Sequence, residues 1–79
     1  MLQEGLNNIL KSIVSEITNK TDIQNSHTLV EDLGMDEVAI VELGVEVERV
    51  FGIELPNIND GSFKTVDDVL NVIIQKIGE

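Results

Sequence analysis

Fifteen carboxylates, one imidazole and no thiol set the chemistry open to this 79-residue chain. Without cysteine there is no thiolate nucleophile, no disulfide and no cysteine-based metal site; with His27 alone, a multi-histidine site is excluded as well. A serine triad needs a histidine held beside a serine and an acid, and nothing in the spacing around His27 provides that. His27 therefore reads as a surface or loop-capping residue. The paired acids Glu31-Asp32, Asp36-Glu37 and Asp67-Asp68 are the remaining acid–base candidates. Splitting their pKa values requires a cleft, and a short aliphatic helical chain offers little of one. They read as solvated charge at helix ends. The stretch from Asn57 to Gly61 lacks the alternating oxygen ligands and closing glutamate of a calcium loop, and there is no glycine-rich phosphate loop. The expectation is a protein with no catalytic residues and no metal site, which works by recognition.

Composition narrows what it recognises. Five basic residues against fifteen acids give a formal charge of -10. Such a surface repels a phosphate backbone, which excludes nucleic acid, and favours basic partners. The 42% apolar share is too high for a disordered acidic tail. No apolar run approaches the roughly 20 residues that cross a bilayer, and the start, MLQEGLNNIL, does not resemble a secretory signal. A single cytoplasmic, monomeric domain over residues 1–79 is expected.

The elements that must carry the recognition surface follow from periodicity. Leu2, Leu6, Ile9, Leu10, Ile13, Val14 and Ile17 mark one face of a helix over about 2–18. Residues 19–35 form a long connection, pinned to the core by Leu29, Val30 and Leu33. Asp36 is a suitable N-cap for a second helix. Glu37 follows in the first turn, where the helix dipole favours negative charge, and Gly52 stops the helix after Phe51. An extended Ile53-Glu54-Leu55 ends at Pro56, and 57–64 has room for one helical turn at most. Thr65, with Asp68 three residues on, caps a last helix striped by Val66, Val69, Leu70, Ile73 and Ile77 and widened by Val72 and Ile74. The sum is an all-α fold, a bundle of three longer helices and one short one.

Helix two carries two apolar arcs at 100° per residue. Ile40, Leu43, Gly44, Val47, Val50 and Phe51 form the broad one, expected to face the core. Val38, Val41 and Val45 form a narrower stripe, flanked by Glu37 and Glu48 on one side and by Glu42, Glu46 and Arg49 on the other. An apolar strip framed by acids suits docking to a basic protein surface; the plainer reading is a broadly buried helix whose glutamates only solvate it.

The run from Leu29 to Leu43, LVEDLGMDEVAIVEL, resembles the acyl carrier protein family in its fatty-acid-synthesis form, and the likeness continues through Ile53-Glu54-Leu55-Pro56 and from Thr65 to Ile73. The resemblance implies an acyl-carrier-type four-helix bundle. It also implies a serine at the mouth of helix two, esterified with 4′-phosphopantetheine, and docking of acidic helix two on basic enzymes. Asp32, Gly34 and Asp36 match the loop before that serine, Glu42 matches a docking acid, and Val45 an exposed apolar contact. The serine's own position holds Glu37, which has no hydroxyl to form the ester. The next position, a leucine in the family, holds Val38, and Ala39 and Arg49 stand where acids are common. Two readings follow. One is a carrier-like module without an arm, which docks without a covalent group on basic enzymes of fatty-acid or polyketide-type metabolism or on a dedicated partner. The other is an acyl carrier whose attachment serine has been altered to glutamate.

Overall fold

The computed structural model of the protein describes residues 2–55 and 63–78. Three helices follow in order: α1 (Leu2–Thr18), α2 (Glu37–Phe51) and α3 (Val66–Gly78). No strand occurs among the described residues, and an isolated antiparallel bridge joins Thr28 to Thr65. The all-α expectation holds. The short helix foreseen within 57–64, with Pro56 before it, falls largely outside the described residues; Phe63 and Lys64 are not helical.

α1 is the central element and packs against both α2 and α3. Its Leu6, Leu10, Ile13 and Val14 are buried against Leu43 and Val47 of α2 and Val66, Val69, Leu70 and Ile73 of α3 in one aliphatic core. Two helices resting on a third leave their outer flanks uncovered, so the buried seam is narrower than the apolar arcs. Ile9, Val50 and Ile77, expected inside, are 43%, 43% and 38% exposed. Val50 is the informative case: α1 covers the Leu43–Gly44–Val47 side of α2 and leaves Ile40 and Phe51 only half-buried at its margin.

The long connection belongs to the core. Ile23, Leu29, Leu33 and Met35 are buried, whereas Val30 points outward and is 58% exposed. Residues 25–29 lie along the start of α3. Leu29 N–H donates to the Lys64 carbonyl at 2.8 Å, Val66 N–H to His27 at 3.1 Å and Asp67 N–H to Asn25 at 3.0 Å. A helix opens with N–H groups that have no intrahelical partner; here the loop supplies carbonyls to two of them. The capping box completes the set: Asp68 Oδ2 accepts from Lys64 N and Thr65 N, and Thr65 Oγ1 accepts from Asp68 N. Asn7 and Asn25 exchange side-chain amide hydrogen bonds, which fasten the same loop to α1.

Candidate functional site

The loop from Thr28 to Asp36 aims the start of α2. Thr28 N–H donates to Asp32 Oδ2 at 2.8 Å, and Asp32 N–H donates back to Thr28 Oγ1 at 2.9 Å, closing one turn of chain. The Thr28 backbone N–H, and after it the Thr28 hydroxyl, hold the Asp32 carboxyl below the ordinary aspartate value by favouring its charged form. Gly34 then takes φ +68°, a left-handed conformation that costs a residue with a Cβ about 1–2 kcal/mol. Asp36, extended at φ -90°, accepts the Ala39 N–H at 2.8 Å and so caps α2. Glu37 is the first helical residue and is exposed. The first turn, Glu37-Val38-Ala39-Ile40, contains no hydroxyl.

Val38, Val41 and Val45 are 66%, 41% and 56% exposed, a row along one side of α2. Glu37, Val38, Val41 and Glu42 line a shallow depression on this side. The predicted stripe is therefore solvent-facing and bordered by acids. Its two later glutamates are already engaged within the chain. Arg49 Nη2 donates to Glu46 Oε1 at 2.6 Å and Arg49 Nε to Glu46 Oε2 at 3.4 Å. This pairing pulls the Glu46 carboxyl below its usual range and raises the Arg49 guanidinium. Glu48 accepts the Leu55 N–H at 2.8 Å, and its backbone carbonyl accepts from Gly52, the left-handed cap at φ 67°. Glu48 thus fastens the chain leaving α2. Among the described residues, the Glu37 and Glu42 carboxylates are the acids of the stripe with neither an ion pair nor a side-chain hydrogen bond.

A second depression was not foreseen from the sequence. It lies between α1 and α2 and is lined by Ile13, Glu16, Ile17, Glu42 and Glu46. Glu42 borders both depressions. Glu16 lies outside the apolar face that periodicity marks on α1, and only the crossing of the two helices brings it opposite α2. His27 has a structural place: its Nδ1 accepts the Gln24 N–H at 3.1 Å. No group of metal-binding side chains gathers among the described residues, and no described helix is long and apolar enough to cross a membrane.

Comparison with known proteins puts this geometry in context. Residues 8–73 match the model of the phosphopantetheine attachment site family. The chain is 40% identical over 74 residues to an acyl carrier protein of Coprothermobacter proteolyticus, covering 89% of this chain and 83% of that protein. It is 35% identical over 68 residues to one of Clostridium perfringens, covering 84% and 90%. Its fold superposes with a TM-score of 0.79 and 25% identity on the apo doublet acyl carrier protein from prodigiosin biosynthesis, over 92% of this chain and 36% of the doublet. A match through all three helices, with sequence likeness over most of both chains, establishes that this chain belongs to the acyl carrier protein family.

Proposed function

We propose that this protein is an acyl-carrier-type scaffold, itself no enzyme, that docks non-covalently on the basic surface of an enzyme of fatty-acid or polyketide-type metabolism or of a dedicated partner. The observation that carries the reading is Glu37. It stands exposed at the head of α2, directly after the N-cap Asp36 and beside the valine stripe. That is the position we assign to the family's attachment serine. The phosphopantetheine ester requires a side-chain oxygen that attacks the pyrophosphate of coenzyme A and loses a proton. A carboxylate does not make that phosphodiester, so the group does not fit here and no chemistry is routed through it. Thr28, the nearest hydroxyl before Glu37 along the chain, accepts the Asp32 N–H and stands outside the first turn of α2. What remains on α2 is recognition: Val38, Val41 and Val45 make apolar contact, Glu42 supplies the central charge, and Glu46 and Glu48 border the stripe where it runs toward the end of the helix.

The scaffold around Glu37 also supports the second reading, an acyl carrier with an altered attachment residue, because capping of α2 by Asp36 leaves the 37 side chain open to solvent. One experiment separates the two. The protein and its Glu37→Ser variant are incubated with coenzyme A and a phosphopantetheinyl transferase, and intact masses are read. The docking proposal expects no added arm on the unaltered protein. An arm on it overturns the proposal, and an arm on Glu37→Ser alone shows that the scaffold retains carrier competence.

A further inference from the structure

Beyond the valine stripe, we infer that the groove between α1 and α2 is a second half of the docking surface, built to take an arginine or lysine side chain from a partner protein. The inference rests on the docking reading and adds a place and a chemistry to it. Ile13 and Ile17 are apolar members of the groove lining, and Glu16 joins Glu42 and Glu46 as its three carboxylates. The Glu16 and Glu42 carboxylates make no ion pair or hydrogen bond among the described residues, whereas that of Glu46 is held by Arg49. A long basic side chain matches this composition: its methylene stem lies on isoleucine while its charged end meets carboxylates. A small hydrated cation would gain nothing from the isoleucines, and an anionic or purely apolar group would leave the carboxylates facing it uncompensated. The chain as a whole carries -10, so charge complementarity selects a basic occupant from a distance as well as at contact.

Glu42 gives the groove its connection to the stripe, since it borders both depressions. A partner that lays an apolar ridge on Val38, Val41 and Val45 brings a basic side chain of the same ridge across Glu42 and into the groove. Arg49 narrows the choice of partner. By occupying Glu46 it places a positive charge at that end of the groove and leaves Glu16 and Glu42 as the preferred anchors. Glu16 is accordingly a specificity residue on α1, an element outside the predicted docking set.

The test uses a defined probe, an amphipathic helical peptide with leucines along one face and arginines beside them. A second version has citrulline, which is uncharged and nearly the same shape, in place of arginine. Binding to the full chain is followed by the methyl resonances of Ile13 and Ile17 together with the dissociation constant. The arginine peptide should shift both isoleucines, and Glu16→Gln should weaken it about fivefold, the scale of a partly desolvated charge pair. Asp67→Asn removes the same unit of charge from α3, outside the groove, and should change affinity less than twofold. Unmoved Ile13 and Ile17 methyls, an equal effect of Glu16→Gln and Asp67→Asn, or equal binding of the citrulline peptide overturns the inference. Val45→Lys separates this outcome from failure of the docking proposal. Weakening by Val45→Lys but not by Glu16→Gln keeps the stripe and removes the groove; weakening by Glu16→Gln alone keeps the groove and removes the stripe.

Discussion

Leu29 and Val30 are neighbours in sequence and opposites in the fold, and truncating each to alanine measures how far the long connection is part of the core. Leu29 is completely buried, while Val30 is 58% exposed. Leu29→Ala replaces a fully buried isobutyl side chain with methyl among core side chains that include Leu33 and Met35 of the same loop. Alanine keeps the backbone bonds from Leu29 to Lys64 and from Met35 to Leu29, so the loss is transfer free energy plus the cavity left behind, about 2–5 kcal/mol. A chain of this size has roughly 4–12 kcal/mol of total stability at 0.05–0.15 kcal/mol per residue. The one substitution should therefore remove a large share of it, and the urea midpoint should fall steeply with the slope unchanged. Val30→Ala removes methyl groups already largely in water and should lie within about 0.5 kcal/mol of the parent. The assay is urea unfolding followed by far-ultraviolet circular dichroism on the parent and both variants. A Leu29→Ala cost below about 1 kcal/mol, or costs of equal size for the two variants, would refute the view that this loop is core rather than tether.

The remaining predictions concern caps and charge. Glu48→Ala should lower stability by about 1 kcal/mol, because the Leu55 N–H loses its acceptor, and should change the affinity for the arginine peptide less than Val45→Lys does; calorimetric melting beside peptide titration checks both. Gly52→Ala should cost about 1 kcal/mol in thermal unfolding, since φ 67° crowds a Cβ. Asp32 and Asp68 both titrate below their ordinary value of 3.8 through hydrogen bonds that favour the charged form. Each therefore adds stability that is whole above pH 3.8 and is lost as pH falls from there through its folded value; Asp68→Asn should flatten that acid limb in a pH series of melting curves, and an unchanged limb would count against the capping box as its source. Raising ionic strength from low to moderate should increase the melting temperature, because it screens the self-repulsion of ten surplus negative charges; a melting point indifferent to salt would contradict this.

Sequence periodicity was sufficient for the helices because their information is local. The apolar spacing of α1, the Asp36 and Thr65 caps, and the stop at Gly52 depend on residues within a turn or two of one another, and the observed helix starts and the end of α2 agree with them. The solvent-facing row of Val38, Val41 and Val45 was legible for the same reason, as a geometric property of a single helix. Tertiary structure decided everything that involves two elements. Ile9, Val50 and Ile77 carry the right spacing for burial, but the seam left by α1 lying between two partners is narrower than each helix's apolar arc. Glu48 reads as a free docking acid until the chain beyond Gly52 brings the Leu55 N–H to it. The carbonyls of Asn25 and His27 cap α3 only because a loop distant in sequence folds onto it. Glu16 is one more polar residue of α1 until the crossing with α2 sets it beside Glu42. Amino-acid order fixes which face of a helix is apolar; which part of that face meets another helix, and which charges meet across the gap, depends on how the helices cross.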